Sequence, residues 1–376
     1  MKLMLLVSSM GQGGAERVAS TLVNAWRQRG DNVTLVATFS GHRECAYELS
    51  EGVRFLQLSC LVERTGRGPA ALLERYGTLR TLIRAEAPDV VVSFLTNVNI
   101  AAIVASFGLR IPVIACEHIN PAADGRAMHW RLLARLIYPH ASAVTLLTDS
   151  AAHSFATTLP RKTRLTVMPN PIPELPPGTS RTMHTSGRKR LLAAGRLCPQ
   201  KQFDLLIEAF AASADQFHDW DLWIWGEGPD RAALEAAVAE RGLQDRVRLP
   251  GRTNALWMEM QEADAFALSS RFEGLPMAMM EAMALGLPVV AFDCPSGPRE
   301  LLRDGREGLL VPFGDASAFA AALRSLMSDR ALRQALGLAG AASVKERYSL
   351  RSALLRWDAL FAQVIAGPKP LVIHEN

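Results

Sequence analysis

The chain has no long apolar run, no paired cysteines and no strong excess of either charge. Each absence removes a class of protein. Its most apolar stretch, Val90 to Ala115, is broken by Asn97, Asn99, Arg110 and Pro112, so it divides into strand, helix and strand and offers no membrane span. The opening Lys2-Leu-Met-Leu-Leu-Val-Ser8 is short and runs into a glycine-rich turn; it reads as a first buried strand, not as the apolar core of a secretory signal. Five cysteines at 45, 60, 116, 198 and 294 are scattered without a Cys-x-x-Cys pair, which speaks against a disulfide framework and fits reduced thiols in a cytosolic protein. No His/Cys cluster has metal-ligand spacing. No Ser-His-Asp or Cys-His arrangement points to hydrolysis, and no repeat of solenoid length occurs. With a net charge of only +4 and no recognition motif, a nucleic-acid partner is not expected.

What is present is a chain of 376 residues, 49% hydrophobic and 21% charged, which is enough for two globular domains with ample cores. Short apolar runs alternate with helical patterns from end to end, the signature of parallel sheets covered on both faces. Composition changes between Pro169 and Ser180, where five prolines fall in twelve residues and neither helix nor strand continues. The expected architecture is α/β. A doubly wound domain over 1–172 is joined by a linker at 173–189 to a second over 190–349, and a last helical stretch in 350–376 is a candidate to cross back onto the first. Ligands of such sheets bind beyond the carboxyl ends of the strands, so a cleft between the domains is the expected site. The charge is uneven, with 18 Lys+Arg against 12 Asp+Glu in residues 1–172, and this suggests an anionic partner on that side.

The most informative segment is Arg271-Phe-Glu-Gly-Leu-Pro-Met-Ala-Met-Met-Glu-Ala-Met-Ala284. Glu273 stands in a Gly/Pro loop, and Glu281 about one turn inside a helix starting near Met277. Free N–H groups at that helix start make an anion site, and carboxylates on either side suit sugar hydroxyls. Arg196 ends a strand and Lys201 opens a helix in Gly195-Arg-Leu-Cys-Pro-Gln-Lys201, where a planar fork and a movable ammonium suit a diphosphate. Gly11-Gln-Gly13-Gly14 follows the first strand but departs from G-x-G-x-x-G, and no acidic residue ends the second strand, so a dinucleotide site is not expected. Gly226-Glu-Gly228 reads as a tight turn. Asp219-Trp-Asp221 precedes a strand expected over 222–225 and reads as structural. His118, after the strand 113–116, is a candidate hydrogen-bond donor to a sugar. A helix expected over 126–138 mixes Trp130, Arg131 and Arg135 with an apolar stripe of Leu132, Leu133 and Leu136. Arg75, Arg80 and Arg84 lie on a basic helix after Arg64 and Arg67. Two readings of these helices stand open: docking on an anionic membrane, or ordinary packing on the domain's own sheet.

Taken together, Gly13-Gly14-Ala-Glu-Arg17, Glu117-His118, Asn170, Gly195-Arg-Leu197 with Gln200-Lys201, Gly226-Glu-Gly-Pro229, Gly251-Arg252, Glu273 with Glu281, and Gly308-Leu-Leu-Val-Pro312 resemble the family-four retaining glycosyltransferases of GT-B fold. Their order and spacing cover nearly the whole chain. Ser93-Phe-Leu95, Glu117-His118-Ile-Asn120 and Trp130-Arg131 with Tyr138-Pro139 are similar to the polyprenyl-diphosphate-linked N-acetylgalactosaminyl- and galactosyltransferases of bacterial polysaccharide and glycan assembly. The segment Asp293-Cys-Pro-Ser-Gly-Pro-Arg-Glu300 resembles relatives using UDP-galactose or UDP-GalNAc, with Cys294 and Ser296-Gly297 expected to vary freely.

The resemblance implies a hexosyltransferase that retains anomeric configuration, acts without cofactor or metal, and moves a hexosyl unit from a nucleotide diphosphate sugar to a glycan or polyprenyl-diphosphate-linked acceptor. The place implied is the cytoplasm, at the inner face of the membrane. Arg196 and Lys201 would hold the diphosphate, Glu273 the transferred sugar, the backbone of Gly274, Leu275, Pro276 and Met277 sugar and phosphate, and Glu281 the ribose. Gly13 and Gly14 would lie near the diphosphate, Gly251 and Arg252 near the base, and Asn170 near the active cleft. A nucleotide-sugar epimerase or hydrolase and a non-catalytic nucleotide-sugar scaffold are the rival readings.

Overall fold

The computed structural model describes residues 1–11, 13–39, 45–63, 68–121, 123–174 and 187–367. The chain forms two compact units, Met1–Pro171 with the chain from Arg351 onward, and Ile172–Leu350. Most of the expected linker, residues 175–186, lies outside the described residues, as do Arg64 and Arg67.

The first unit runs β1 (Lys2–Val7), α1 (Gly14–Gln28), β2 (Asn32–Ala37), β3 (Arg54–Gln57), α2 (Pro69–Glu86), β4 (Val90–Phe94), α3 (Thr96–Ser106), β5 (Val113–Cys116), α4 (Met128–Ile137), β6 (Ala143–Leu146), α5 (Asp149–Ala156) and β7 (Leu165–Val167). Its seven strands stand in the order β3-β2-β1-β4-β5-β6-β7, with all pairs parallel. The central strands are apolar throughout because helices cover both faces.

The second unit runs β8 (Lys189–Ala194), α6 (Phe203–Ala214), β9 (Trp220–Trp225), α7 (Arg231–Glu240), β10 (Val247–Gly251), α8 (Leu256–Gln261), β11 (Ala265–Leu268), α9 (Met277–Ala284), β12 (Val289–Asp293), α10 (Pro298–Leu301), β13 (Leu309–Pro312), α11 (Ala316–Ser328) and α12 (Arg330–Tyr348). Its order is β10-β9-β8-β11-β12-β13, again parallel. In both sheets the order reverses beside the first strand, between β1 and β4 and between β8 and β11. That is the topological switch point, where connections leave in opposite directions and a crevice opens.

The last helix, α13 (Leu350–Ile365), packs on the first unit. Trp357 meets Trp26 edge-on at 5.7 Å and Phe361 lies 5.6 Å from the same indole. Arg29, just after α1, donates to Asp358 at 2.5 Å, and Arg164 to Gln363 at 2.5 Å.

Three sequence expectations shift. α3 starts at Thr96, four residues before the expected Ile100. Its polar Asn97 and Asn99 looked like loop, yet Asn99 is buried and satisfied by Ser93, the Cys116 backbone and Tyr138. β9 starts at Trp220, not Leu222, because Lys189 and Arg190 of β8 pair with Trp220 and Asp221. The short helices α8 and α10 carry too few turns for a periodic signal.

Candidate functional site

In the second unit the loops after β8 and β11 flank the switch point. Lys201 lies at the end of the first loop and Glu273 within the second. Lys201 Nζ donates to Glu273 Oε1 at 2.6 Å, with the side chains 17% and 9% exposed. The two loops are tied at further points. Gln200 Nε2 donates to the Phe272 carbonyl at 2.9 Å, the Arg271 N–H to the Gln200 carbonyl at 2.8 Å, and Ser269 Oγ to the Lys201 carbonyl at 2.7 Å. Gln202, at φ +47°, lets the chain turn directly into α6.

A third loop, after β12, braces the second. Ser296 Oγ donates to the Glu273 carbonyl at 2.6 Å. Gly297 lies at φ +94°, and a Cβ there would come 2.8 Å from the Gly274 carbonyl oxygen. Ser296 and Gly297 are therefore not free to vary as the sequence suggested: one holds the glutamate loop by a hydrogen bond and the other packs against it too closely for a side chain. Cys294 lies beside this cluster, and burial, then the nearby Glu273 carboxylate, pushes its thiol up to about 12. It stays protonated and is not a nucleophile.

The Gly226-Glu-Gly228 turn has a similar reason. A Cβ on Gly226 would fall 1.8 Å from the Gly195 carbonyl oxygen, and one on Gly228 2.1 Å from that of Leu197. Only glycine lets the loop after β9 lie directly on the loop carrying Arg196 and Lys201.

Arg196 is exposed and has no hydrogen bond or ion pair among the described residues, so its charge is uncompensated. Gly274, Leu275 and Pro276 are buried and lead into α9, whose first hydrogen bond is Met280 N–H to the Pro276 carbonyl. The N–H groups of Met277, Ala278 and Met279 thus lie free of the helix ladder, with Met277 and Ala278 half-exposed. Glu281 is buried one turn further in. Gly251 closes β10 at φ +97° and accepts from the Gly226 N–H, and Arg252 beyond it is exposed. Asp219 and Asp221 serve as structural ions: Asp219 pairs with Lys189, and Asp221 with Arg188 at 2.7 Å and Arg246 at 3.3 Å.

In the first unit Gly13 caps and Gly14 opens α1, and Tyr47 Oη donates to the Gly13 carbonyl at 3.0 Å. His118 and Asn170 come together with Trp357 around a cavity of about 10 Å³, room for one water. The imidazole lies 4.0 Å from the Phe94 ring at a tilt of 48°, both ring nitrogens are buried without a partner among the described residues, and burial lowers its pKa to about 3. The ring is neutral at physiological pH.

The sequence quoted Glu117 only as a neighbour of His118. It is buried and anchors a network: it accepts from Arg126 at 3.0 Å, from Thr96 at 2.9 Å and from Tyr138. Glutamate followed nine residues later by arginine is no recognisable spacing, so nothing local marked the pair.

On α4 the inward side is Trp130, Ala134 and Ile137. Met128, Leu132, Leu133 and Leu136 are 71%, 56%, 38% and 58% exposed. The stripe of leucines is not packed on the domain's own sheet, and Arg131 and Arg135 are exposed beside it. On α2, Leu72, Leu73 and Arg84 are exposed, while Arg80 donates to the carbonyls of Ala105 and Phe107 at the end of α3. Arg75 is half-buried. Among the described residues no three His, Cys, Asp or Glu side chains are grouped to hold a metal ion, and no helix is long and apolar enough to cross a membrane.

Comparison with known proteins agrees with this arrangement. Residues 13–171 match the glycosyl transferase 4-like domain, and residues 181–342 the glycosyl transferases group 1 domain. The chain is 27% identical over 340 residues, 89% of it and 91% of the relative, to a Campylobacter jejuni alpha-1,4-N-acetyl-D-galactosaminyltransferase named for a GalNAc-GalNAc-diNAcBac-PP-undecaprenol substrate. It is likewise 27% identical over 339 residues, 89% of the chain and 92% of the relative, to the amylovoran biosynthesis glycosyltransferase AmsD of Erwinia amylovora. A 33% match over 231 residues, 61% of the chain, spans about a quarter (24%) of an exopolysaccharide phosphotransferase of Streptomyces coelicolor. Among solved structures, S. aureus TarM in complex with UDP superposes with a TM-score of 0.80 at 13% identity, covering 96% of this chain and 100% of that one. Anabaena HepE with UDP superposes at 0.77 and 18%, covering 96% and 100%. These last two likenesses establish the GT-B fold. With both domain types matched in order along the chain, the protein belongs to the glycosyltransferases that join a glycosyl transferase 4-like domain to a group 1 domain.

Proposed function

We propose that this glycosyltransferase is a retaining hexosyltransferase that takes its sugar from a UDP-linked donor without a bound metal. Its acceptor is a lipid-linked glycan of cell-surface polysaccharide assembly. The Lys201–Glu273 ion pair at the switch point of the second unit carries this reading. Glu273 holds Lys201 with Oε1, while Oε2 makes no hydrogen bond among the described residues and is left for a sugar hydroxyl. Lys201 has further N–H donors for a phosphate. Arg196 adds an unmatched charge, and the N–H groups of Met277 and Ala278 add a helix-start dipole. Together they supply positive charge where negative charge develops, on the departing diphosphate. That phosphate, as it leaves, takes the acceptor's proton on the face it vacates, and attack on the same face retains the anomer. Glu273 and Glu281 bind; they are not an acid–base or nucleophile pair of a glycosidase. The relatives support the acceptor class, since one is named for a PP-undecaprenol glycan and another for amylovoran biosynthesis.

The test is a thermal-shift screen of UDP-, GDP- and ADP-sugars followed by an anomer-resolved transfer assay with and without EDTA. A bound donor raises the melting point. An inverted transfer product refutes retention, and donor consumption equal with and without acceptor sinks the transfer reading in favour of a hydrolase or epimerase. Donor binding with no turnover favours a scaffold.

The same proposal places α4 on an anionic membrane at the cytoplasmic face. Its exposed leucines and Met128 would enter the interface, with Arg131 and Arg135 at the headgroups. Flotation with anionic vesicles is expected to be lost in Leu132→Ser/Leu136→Ser and weakened by salt; unchanged flotation of that variant refutes the docking face.

A further inference from the structure

The loop after β12 that braces Glu273 is itself held from its far side. Ser296 stands at φ +62° and Gly297 at φ +94°. Two successive left-handed residues, one of them with a side chain, persist only where surrounding contacts impose them. Ahead of them β12 is fixed in the sheet, down to Asp293 opposite Pro312. Behind them the chain enters α10, a helix of four residues. One turn is too short to hold itself, and its last carbonyls have no partner within the helix. Arg347, in the last turn of α12, supplies the partner. Nη1 donates to the Glu300 carbonyl at 2.7 Å and Nη2 to the Leu301 carbonyl at 2.9 Å. The guanidinium is aimed in turn. Nη2 also donates to Ser343 Oγ at 2.8 Å, Ser343 Oγ donates to Glu307 Oε1 at 3.2 Å, and the Tyr348 ring lies 5.0 Å from the guanidinium carbon. A planar fork bridges two neighbouring carbonyls at once, which a single ammonium does less well.

A helix this short spans about 6 Å, so a shift of its end moves its start. At that start Ser296 Oγ donates to the Glu273 carbonyl at 2.6 Å, and Gly297 packs on the Gly274 carbonyl. We propose that Arg347 is a positioning residue for sugar transfer. It clamps the end of α10 and through that helix keeps Ser296 and Gly297 pressed on the Glu273 loop. Its effect on the sugar passes through Glu273, while Glu281, within α9, is off this route. The inference rests on the reading of Glu273 as the residue that meets the transferred sugar.

The experiment combines binding with amide exchange on the full chain. Calorimetric titration uses UDP, UDP-galactose and UDP-GalNAc as probes. Arg347→Met is expected to weaken the sugar nucleotides by about three- to tenfold, the worth of one hydrogen bond, and to leave the affinity for UDP within about twofold. Equal weakening of UDP and of the sugar nucleotides overturns the proposal, because it marks a general loosening of the second unit. Arg347→Lys keeps the charge and reaches one carbonyl at a time, so it should recover part of the loss; it replaces Arg347→Met if that variant does not fold. Ser296→Ala should give a loss of the same kind, and the double variant should lose less than the product of the two single factors. Full multiplication shows that Arg347 reaches the sugar by another route, and the clamp is then refuted. In the ligand-free protein, exchange over residues 270–280 and 294–302 should quicken together in Arg347→Met and far less in Leu336→Ala, a buried truncation elsewhere on α12. Faster exchange confined to 294–302 also overturns the proposal. If wild type binds neither sugar nucleotide, the donor reading fails, and exchange alone decides the clamp.

Discussion

Lys201→Met removes an ammonium and keeps most of the stem, so the first effect falls on Glu273. That side chain, 9% exposed, loses the partner on Oε1. Deleting one member of a fully buried pair costs about 3–5 kcal/mol. Here the lysine side chain keeps 17% of its surface, water reaches the pair, and about 2–3 kcal/mol is the expected loss. For a domain the size of residues 172–350, each kcal/mol moves the midpoint by about 2–4 °C. The transition of the second unit should therefore fall by about 4–12 °C. Lys201→Met/Glu273→Gln removes the orphaned charge and should recover at least about half of that loss, since the two sites are directly coupled. Catalysis should not recover. Losing one preorganised charge against the leaving diphosphate is worth about 10²-fold or more in kcat, and the double variant lacks it too. Calorimetry of the ligand-free protein gives the first quantity, and initial rates at saturating donor and acceptor give the second. Equal melting of single and double variants would show that Glu273 does not depend on Lys201. A kcat within about threefold of wild type would falsify the leaving-group role.

Gly226→Ala should destabilise the second unit by more than about 2 kcal/mol in urea, because its Cβ meets the Gly195 carbonyl at 1.8 Å and its φ is +146°. Gly242→Ala, at φ +64° with open space around it, should cost only about 1 kcal/mol; equal losses would remove the clash from the explanation. Trp357→Ala should cost about 3–5 kcal/mol in the first unit, since the indole is buried against Trp26 and Phe361, and a loss under about 1 kcal/mol would show that α13 is not part of that core. His118 titrates lower folded, about 3, than unfolded, about 6.5. The unfolded chain therefore takes up the proton first, and stability is full above pH 6.5 and lost as pH falls toward 3, by up to about 1.4 kcal/mol per pH unit. His118→Phe should flatten that part of the acid limb in urea titrations at pH 7, 6 and 5; an unchanged slope would place the sensitivity elsewhere.

Much of this was legible in sequence. Apolar runs such as Val90–Phe94 and Val113–Cys116 announced a buried parallel sheet, and Gly274-Leu-Pro276 before an apolar helix announced an open helix start beside two glutamates. What escaped did so for physical reasons. Asn99 reads as loop because its burial is made good by Tyr138, 39 positions away. The leucines of α4 left two readings open, membrane docking or packing on the sheet, because hydrophobicity does not state whether a surface covers a stripe. Ser296 and Gly297 read as variable because their constraint is the proximity of Glu273 and Gly274, not their own sequence.

By itself, then, the sequence determined the alternation of strands and helices, the two domains, and the residue types gathered for sugar and phosphate, since periodicity, turn chemistry and side-chain charge are local properties. Tertiary structure decided the rest. Lys201 and Glu273 are 72 positions apart, and only the placing of β11 beside β8 brings their loops together into one ion pair. Likewise only the neighbouring of β4 and β5 sets Thr96 beside Glu117, 21 positions on. Strand order is a long-range choice made by packing, and partners chosen by packing leave no spacing to read.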